Sequence, residues 1–284
     1  MAPQVLRTLA EVKAWAADLR RSGRRLALVP TMGYLHEGHL SLMREGRRHA
    51  DVVATSIFVN PTQFGPKEDL ARYPRDMEGD LAKCGSAGVD VVFAPEAGAM
   101  YPPGYQTYVE VTEVSKGLCG DRRPGHFRGV ATIVTQLLCL FRPDVALFGE
   151  KDYQQLQVIK ALNRDLHLGV EILGMPTVRE PDGLAMSSRN AYLSPEERKR
   201  ALAISRGLAA AQALARAGTS GASALTEAVR RELRAADLRE DYVELVDAER
   251  LTPLSTLQPG QLARLLVAAF CGATRLIDNQ PIGG

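Results

Sequence analysis

Short apolar runs alternate with helix-like segments along the first part of this chain, and this alternation constrains its fold more than any other feature. The apolar runs contain almost no polar residues, as expected of strands that are covered on both faces. Such strands, separated by helices, form a parallel sheet that binds ligands beyond the carboxyl ends of its strands. The predicted strands are Leu26–Val29, Val52–Val59, Val89–Phe93, Val145–Phe148 and Val170–Leu173, and the predicted helices lie near Thr8–Ser22, Gly38–His49, Met77–Ala87, Gly129–Phe141 and Tyr153–Asp165.

The pattern changes at Arg179–Gly183, where a turn-rich segment ends the alternation. Beyond it, Ser194, Pro195 and Glu197 have the signature of a helix start, with an N-cap, a proline in the first helical position and a capping-box glutamate. Two helices rich in Ala, Leu and Arg follow, and then the predicted antiparallel strands Tyr242–Val246, Ala263–Phe270 and Thr274–Asp278. We therefore predict an α/β protein: a Rossmann-like parallel-sheet domain over residues 1–178 and a smaller α+β C-terminal lid domain over residues 179–284.

The balance of charges and the hydropathy pattern argue against several classes of protein. The 284 residues include 35 Lys and Arg against 33 Asp and Glu, so nothing points to nucleic acid or to an anionic membrane as a partner. The longest apolar run, Val130–Phe141, is too short to span a bilayer, and the first apolar positions have the spacing of an amphipathic helix rather than of a secretory leader. The cysteines show no CxxC spacing. We expect a cytoplasmic protein that acts on small molecules.

One predicted strand-to-helix turn carries two histidines. The apolar run Leu26–Val29 leads through Pro30–Gly33 to His36 and His39, and a helical pattern follows. A helix start offers main-chain N–H groups and the positive end of the helix dipole, and glycine allows the backbone to approach a bound group closely. Side chains three apart on a helix share a face. Both imidazoles are thus placed to donate hydrogen bonds to phosphate oxygens as charge builds on them.

Other interpretations of His36 and His39 stay open at this stage. Histidine pairs on helices commonly consist of one core residue and one solvated residue. A zinc pair is disfavoured, because helical zinc ligands are usually four apart and no further His or Cys clusters nearby. The sequence has neither a GxGxxG dinucleotide motif nor a GxxxxGK[ST] phosphate loop, so the prediction of a phosphate site depends on the histidine turn.

Polar residues also follow two other predicted strands. Gln63 lies in the segment after Val52–Val59, and Gln155 lies in the segment after Val145–Phe148. An amide side chain both donates and accepts hydrogen bonds, as recognition of a hydroxyl next to a carboxylate requires. Lys151, which begins the next helix, is placed to meet a polyphosphate.

The segment Met186–Asn190 follows the turn-rich boundary. Its two serine hydroxyls beside Arg189 can bind triphosphate oxygens and neutralise a leaving pyrophosphate. A plain Ser-Ser turn before a helix is the alternative.

These motifs together resemble a known family. His36-Glu37-Gly38-His39 resembles the HxGH signature of the superfamily that includes nucleotidylyltransferases and class I aminoacyl-tRNA synthetases, and Met186–Arg189 is similar to its mobile phosphate-binding counterpart. The wider combination, over nearly the whole chain, resembles the pantoate–β-alanine ligases, also called pantothenate synthetases. The segments that carry this resemblance are Pro30–Gly33, Phe58–Phe64, Tyr73–Arg75, Arg123–Phe127, Gly149–Gln155 and Met186–Asn190.

The resemblance implies an ATP-dependent amide synthesis in two steps. The pantoate carboxylate attacks the α-phosphorus of ATP, which gives an enzyme-bound pantoyl adenylate and pyrophosphate, and the amine of β-alanine then displaces AMP to give pantothenate. His39 is the implied proton donor, with His36, Lys151 and Arg189 acting beside it. Gln63 and Gln155 would bind pantoate, with Gln63 also near β-alanine. Asn60, Tyr73 and Arg123 are further candidates. The implied ATP site consists of Met32, Gly33, Tyr34, Leu35, His36, Glu37, Gly38, His39, Gly149, Glu150, Lys151, Asp152, Val178, Met186, Ser187, Ser188 and Arg189.

The resemblance also implies a homodimer and Mg²⁺ bound with the triphosphate. Asp80 lies in the acidic stretch where family members have carboxylates, whereas Gly79 occupies a neighbouring position that is acidic in some relatives. Asp76, Glu78 and Asp80 are either candidate metal ligands or the solvated face of a helix, so the protein ligands of the metal are left unassigned. One alternative activity is a nucleotidyltransferase that adenylylates a phosphorylated acceptor, although the neutral Gln63 and Gln155 favour a hydroxy acid. A catalytically silent nucleotide-binding module is the other alternative.

Overall fold

The computed structural model describes residues 2–66 and 68–283 and confirms the α/β fold. The strands are β1 Gln4–Leu6, β2 Leu26–Thr31, β3 Val52–Ile57, β4 Val91–Phe93, β5 Val145–Gly149, β6 Glu171–Met175, β7 Arg239–Asp247, β8 Ala263–Cys271 and β9 Thr274–Ile282. The helices are α1 Leu9–Arg21, α2 Glu37–His49, α3 Met77–Ser86, α4 Ala97–Met100, α5 Leu118–Arg122, α6 His126–Phe141, α7 Tyr153–Asp165, α8 Pro195–Arg216 and α9 Ala222–Ala235. Short 3₁₀ helices cover Pro61–Gln63, Glu150–Asp152 and Ser188–Tyr192.

The first six strands form one parallel sheet in the order β1-β4-β3-β2-β5-β6. The chain passes from β2 to β3 and β4 on one side, and it later adds β5 and β6 on the other side of β2. The strand order therefore reverses between β2 and β5. Ligands of doubly wound sheets bind at the carboxyl ends of the strands at such a reversal. The segments that leave β2 and β5 at this edge begin with Met32 and Glu150.

Helices cover both faces of the sheet, because its strands are apolar on both sides. On one face, Met43 of α2 and Cys84 of α3 are fully buried in a cluster with strand residues. On the other, Trp15 of α1 and Phe93 of β4 each meet Phe141 of α6 edge to face, with ring centroids 6.0 and 5.9 Å apart. The burial of Met43 holds α2, whose first turn carries the histidines, against the sheet.

The chain divides into two compact units. The first consists of Met1–Glu150 and Gln155–Pro176, and the second of Lys151–Gln154 and Thr177–Gly284. In the second unit, β7, β8 and β9 form an antiparallel sheet, and its core contains apolar residues of α8 and α9. α8 begins as predicted: Glu197 donates its main-chain N–H to Ser194 Oγ (3.1 Å), and Ser194 donates its own to Glu197 Oε2 (2.9 Å).

The structure differs from a single division at 178/179 in two respects: Thr177 and Val178 belong to the second unit, and so does Lys151–Gln154. Lys151–Gln154 was assigned to the sheet domain, whereas it packs with the second unit, because Asn279 Nδ2 donates to Lys151 O (2.9 Å) and Tyr153 OH donates to Ala248 O (2.9 Å). A pattern of consecutive strands and helices carries no signal for such an exchange. The catalytic and lid roles of the two parts remain predictions.

Strand and helix ends also shift by a few residues. β3 ends at Ile57 rather than Val59, α6 begins at His126 rather than Gly129, and the three-residue β1 was not predicted. A strand that short has too few residues to show a periodicity. No helix within the described residues is both long and apolar enough to cross a membrane.

Candidate active site

The turn between β2 and α2 brings the two histidines together. Its backbone passes through the left-handed region at two successive residues, Gly33 (φ +83°) and Tyr34 (φ +51°). His36 is the N-cap residue of α2, and His39 lies in the first turn of that helix. Their ring centroids are 4.1 Å apart, and the rings are tilted by 35°. The predicted pairing of the two imidazoles at this helix start is therefore present in the structure.

The tautomer of His39 follows from its hydrogen bond. The main-chain N–H of His36 points at His39 Nδ1 over 3.3 Å, so Nδ1 accepts. A neutral imidazole that accepts at Nδ1 carries its proton on Nε2. His39 is thus arranged to donate from Nε2, next to the N–H groups that open α2.

The acidic stretch on α3 supports this turn. Asp80 is 1% exposed, and its two carboxylate oxygens accept the main-chain N–H groups of Tyr34 and Leu35, each at 2.7 Å. Asp76 caps α3 by accepting from the N–H of Gly79 at 3.0 Å. Both carboxylates are thus engaged by the main chain.

Gln63 is held in place on the short helix after β3. It is 8% exposed, its Oε1 accepts from Asn60 Nδ2 at 3.1 Å, and its Nε2 lies 3.0 Å from Met32 Sδ. Asn60 Nδ2 also donates to Gly129 O (3.1 Å), and Tyr101 OH donates to Asn60 Oδ1 (2.9 Å). Burial raises the pKa of Tyr101 to about 12, which keeps this hydroxyl a donor. Asn60, a further candidate from the sequence, therefore positions Gln63.

The sequence suggested Arg123 as a further candidate for binding phosphate, but in the structure its guanidinium contacts two protein side chains. Its Nε and Nη2 donate to the two carboxylate oxygens of Glu68 at 2.7 and 2.6 Å, and its Nη1 lies 3.0 Å from His126 Nε2. His126 Nδ1 in turn donates to Gln63 O at 2.9 Å. Burial alone would raise the pKa of Glu68, but the hydrogen bond and charge of Arg123 outweigh it and hold that pKa below its usual value. The network fixes the backbone of Gln63.

In the second unit, the segment from Val178 to Arg189 folds back on itself. Met186 donates its N–H to Val178 O (3.0 Å), and Glu180 donates its own to Leu184 O (2.8 Å). The serine pair follows directly: Ser187 Oγ accepts from the N–H of Arg189 (3.2 Å) at the start of the 3₁₀ helix. The structure therefore brings Val178 next to the Met186–Arg189 segment, which are 8 or more residues apart in the sequence.

β9 anchors this hairpin and Lys151 at neighbouring positions. Arg179 donates from Nη1 and Nη2 to the two oxygens of Asp278 (2.7 and 3.0 Å), and Asn279 Nδ2 donates to the carbonyl of Lys151 (2.9 Å). Lys151 Nζ lies 3.7 Å from Asp152 Oδ2. The residues of the predicted ATP site that belong to the second unit are thus attached to one strand.

The comparisons with known proteins agree with one another. Residues 4–281 match the family model described as "Pantoate-beta-alanine ligase". The chain belongs to the pantoate–β-alanine ligase family. The pantothenate synthetase of Myxococcus xanthus (strain DK1622) is 78% identical over 285 residues, which cover 100% of this chain and 98% of that protein. That of Anaeromyxobacter dehalogenans (strain 2CP-C) is 59% identical, with 98% of each chain covered.

Solved structures of this family have the same fold. The crystal structure of pantothenate synthetase from Thermus thermophilus superimposes with a TM-score of 0.93 at 48% identity, over 99% of this chain and 100% of that one. The structure of pantoate–β-alanine ligase from Francisella tularensis, complexed with "Beta-gamma ATP and Beta-alanine", has a TM-score of 0.82 at 32% identity, over 98% of this chain and 97% of that one.

Membership of the pantoate–β-alanine ligase family decides between the activities that the sequence left open. The chain is a ligase that joins pantoate and β-alanine, with ATP as a substrate. The alternatives of a nucleotidyltransferase for a phosphorylated acceptor and of a catalytically silent module are not supported. The neutral amide of Gln63 at the sheet edge is consistent with a hydroxy acid as the substrate.

Several residues of the site in this ligase were not assigned from the sequence. His126 donates to the carbonyl of Gln63 from 63 residues away, Glu68 holds Arg123 from 55 residues away, and Asp80 supports the histidine turn at Leu35 from 45 residues away. The sequence signal for Glu68 and Asp80 is weak, because carboxylates in folded proteins are usually solvated. Only the tertiary structure identifies the N–H groups that Asp80 accepts.

Proposed function

We propose that the chain performs this ligation through a pantoyl adenylate formed at the carboxyl edge of the parallel sheet. In the first step, a pantoate carboxylate oxygen bonds to the α-phosphorus of ATP while the bond from that phosphorus to the β-bridging oxygen breaks, and pyrophosphate leaves with the electron pair. In the second step, the amine of β-alanine bonds to the acyl carbon and gives up a proton, and AMP leaves with the electrons of the C–O bond. The proposal rests above all on the paired rings of His36 and His39, 4.1 Å apart at the start of α2 beside the strand reversal.

The turn Met32–His39 is proposed to bind the phosphates of ATP. The N–H groups of the first turn of α2 and its dipole favour anionic oxygens. His39 donates from Nε2 to the oxygen that gains charge as pyrophosphate leaves, and His36 acts beside it. An in-line displacement of this kind needs orientation and charge stabilisation more than a covalent nucleophile.

Gln63 and Gln155 are proposed to bind pantoate. Gln63 follows β3 and Gln155 follows β5, and these are the two neighbours of β2 in the sheet. Since adjacent strands are about 4.8 Å apart, the ends of β3 and β5 are separated by roughly 10 Å. That interval suits a small hydroxy acid held at both ends by amides, in line with the end of β2. The amine of β-alanine would then approach from the side of Gln63.

The remaining residues of the ATP site are proposed to act as follows. Gly149, Glu150, Lys151, Asp152 and Val178 bind the adenosine part of ATP, and Met186, Ser187, Ser188 and Arg189 bind the triphosphate. Support comes from the attachment of Lys151 and of the hairpin to β9, and from the chemistry of Arg189, whose guanidinium matches phosphate geometry. Lys151 adds a point charge for the leaving pyrophosphate.

Magnesium is proposed to arrive with the triphosphate rather than in a cage of protein ligands. No group of three or more His, Cys, Asp or Glu side chains suited to a metal ion occurs among the residues described by the structure, and Asp80 already accepts two N–H groups. Mg²⁺ commonly keeps its waters and binds mainly to substrate phosphates, where it neutralises charge.

A homodimer in the cytoplasm is proposed from membership of the family. Sedimentation velocity at nanomolar to micromolar concentration tests the first point, since a single species at the monomer mass throughout would contradict it. Cell fractionation tests the second.

The decisive assay of the proposed function follows pyrophosphate release. We expect release from ATP only when pantoate is added, and AMP with pantothenate only when β-alanine is added as well. His39→Ala should slow pyrophosphate release by about 100-fold, because it removes a donor to the charge that develops. His49→Ala, at the far end of the same helix, is the control and should stay near the wild-type rate. A normal rate for His39→Ala would refute the role of His39.

Gln155→Ala tests the pantoate site. A lost hydrogen bond to a substrate group in a partly buried site costs about 1–3 kcal/mol, so pantoate affinity should fall by roughly 5- to 150-fold while ATP affinity changes little. Gln136→Ala is a matched control, because Gln136 donates to Tyr105 OH at 2.9 Å within the same unit. Equal losses of affinity for pantoate and ATP in calorimetric titrations would contradict the assignment.

A further inference from the structure

Two side chains of α3, neither of them among the residues proposed to bind substrate, form hydrogen bonds with the main chain of the histidine turn. Asp80 lies on this helix, buried to 1% exposure, and each of its oxygens accepts one main-chain N–H of the turn, from Tyr34 and from Leu35, at 2.7 Å. One helical turn further on, Lys83 Nζ donates to the carbonyl of Leu35 at 2.9 Å. The same Nζ lies 5.9 Å from the centroid of the Tyr34 ring. Three successive peptide groups of the turn, from Gly33 to His36, are thus held by one helix.

The conformation of the turn explains why it needs external support. Gly33 and Tyr34 both have positive φ, and a left-handed conformation is unfavourable for a residue with a side chain such as Tyr34. Such a backbone persists only where its surroundings over-determine it. A Cβ on Gly33 would lie 3.0 Å from Asp80 Oδ2, so the carboxylate also sits close against the turn itself.

The histidines follow this turn directly. His36 is the next residue after Leu35 and caps α2, and the N–H of His36 sets the orientation of the His39 ring through Nδ1. A shift of the Tyr34 or Leu35 peptide group therefore moves the N-cap and both imidazoles. For an in-line displacement, a misplacement of about 1 Å can cost about 100-fold in rate.

We propose that Asp80 is a positioning residue for adenylate formation, which fixes the histidine turn by accepting the N–H groups of Tyr34 and Leu35, with Lys83 holding the Leu35 carbonyl. Asp80 itself touches neither ATP nor pantoate in this proposal. The inference rests on the proposed role of Met32–His39 in binding ATP. It also gives the acidic stretch of α3 a function other than metal binding.

The test compares two Asp→Asn substitutions. Each alters a carboxylate that accepts main-chain N–H groups, one just beyond the carboxyl end of β2 and the other at its amino end. In Asp80→Asn, one acceptor oxygen becomes an NH₂ group, so one N–H of the turn loses its partner. In Asp144→Asn, the change affects the carboxylate whose Oδ2 accepts from Leu26 N (2.7 Å) at the amino end of β2, remote from the site. The kcat and KM of pantoate-dependent pyrophosphate release are measured well below the melting temperature, with circular dichroism to confirm folding.

We expect Asp80→Asn to lower kcat by about 10- to 100-fold, with the KM for pantoate within about twofold of wild type, and Asp144→Asn to leave both nearly unchanged. Lys83→Met should lower kcat by a smaller factor, and Lys83→Arg, which keeps a donor, should restore most of it. If Asp80→Asn does not fold, the Lys83 pair decides: a kcat loss that arginine rescues supports the proposal, and an unchanged kcat for Lys83→Met overturns it.

His39→Ala, assayed in parallel, separates the two proposals. A normal rate for His39→Ala refutes the catalytic role of the turn itself. A rate that collapses in His39→Ala but is unchanged in a folded Asp80→Asn protein leaves the proposed function intact and overturns only the role of Asp80. A kcat loss in Asp144→Asn equal to that in Asp80→Asn would show a general effect of weakening β2, and would also overturn the proposed role of Asp80.

Discussion

Gly129 of α6 lies against the short helix that carries Gln63, and Gly129→Ala therefore tests how tightly the proposed pantoate site is packed. A Cβ at this position would contact the carbonyl oxygen of Thr62, and it would lie 2.6 Å from Thr62 C and 2.7 Å from Gln63 N. These are main-chain atoms, which cannot rotate away as the end of a flexible side chain can. Ordinary van der Waals contact begins at 3.4 Å, so the two segments must separate by about 1 Å to relieve the contact with the Thr62 carbonyl oxygen.

The expected cost has a structural and a functional part. Overpacking of a well-packed interior typically costs about 1–3 kcal/mol, which corresponds to a drop in melting temperature of roughly 2–12 °C for a chain of this size. The separation also stretches the hydrogen bond from Asn60 Nδ2 to Gly129 O, now 3.1 Å, and so moves the group that orients the Gln63 amide. A displacement of this size should lower kcat/KM for pantoate by about 10- to 100-fold.

The assay combines thermal unfolding with pyrophosphate release at varied pantoate and at varied ATP. Gly98→Ala serves as the control, because Gly98 lies in α4 with open space around the position of its Cβ, and alanine there should be neutral or slightly stabilising. A Gly129→Ala protein with an unchanged melting temperature and an unchanged KM for pantoate would refute the reasoning. A loss for ATP as large as that for pantoate would refute its local part.

Three further predictions concern stability. Glu68→Gln should destabilise the protein by about 2 kcal/mol at neutral pH, because it breaks the paired hydrogen bonds with Arg123. The pKa of Glu68 is lowered in the folded state, so its contribution to the free energy of unfolding is fully present above its unfolded-state pKa of about 4.5 and is lost as the pH falls through the folded-state pKa. The urea denaturation midpoints of the variant and the wild type should therefore converge in acid. A difference that is constant with pH would contradict this. Arg179→Met should cost about 3 kcal/mol, because the Asp278 side chain is 3% exposed and would lose its counter-ion. Arg234→Ala, which breaks an exposed ion pair with Glu227, should have a much smaller effect; equal losses of stability would be inconsistent with the role of burial. Ser194→Ala should cost about 1 kcal/mol through the lost N-cap of α8, and an unchanged denaturation midpoint would contradict it.

The parallel sheet was predictable from the sequence because its strands are apolar on both faces and are separated by periodic helices. The same pattern does not extend to Gln4–Leu6, where three residues carry no period, and it gives no order of strands in the sheet. The capping box at Ser194 and Glu197 was predictable because its partners are three residues apart. Local spacing thus determined the elements, and long-range packing determined their order.

The histidine pair was predictable for the same local reason, since a spacing of three on a helix brings the two rings together. The braces were not, because their partners are distant in sequence: Asp80 lies more than forty residues from Tyr34, and Arg123 lies 55 residues from Glu68. Arg123 also shows the limit of reasoning from residue type. A cation in a family motif suggested a phosphate ligand, whereas its guanidinium is engaged by the half-buried carboxylate of Glu68.

Hydrogen bonds that hold the site residues of the first unit in place should affect the kinetics differently from residues that bind substrate directly. The turn that would bind ATP is held by Asp80, the Gln63 amide by Asn60, and the Gln63 carbonyl by His126, each through a buried or half-buried hydrogen bond. Buried polar groups lose stability if they separate from their partners, so these bonds fix the donors before substrate arrives. Donors that are already in place stabilise the transition state without reorganisation. Asp80→Asn should therefore act mainly on kcat, whereas Gln155→Ala should act mainly on the KM for pantoate; the same kinetic effect in both variants would mean that Asp80 merely maintains the fold.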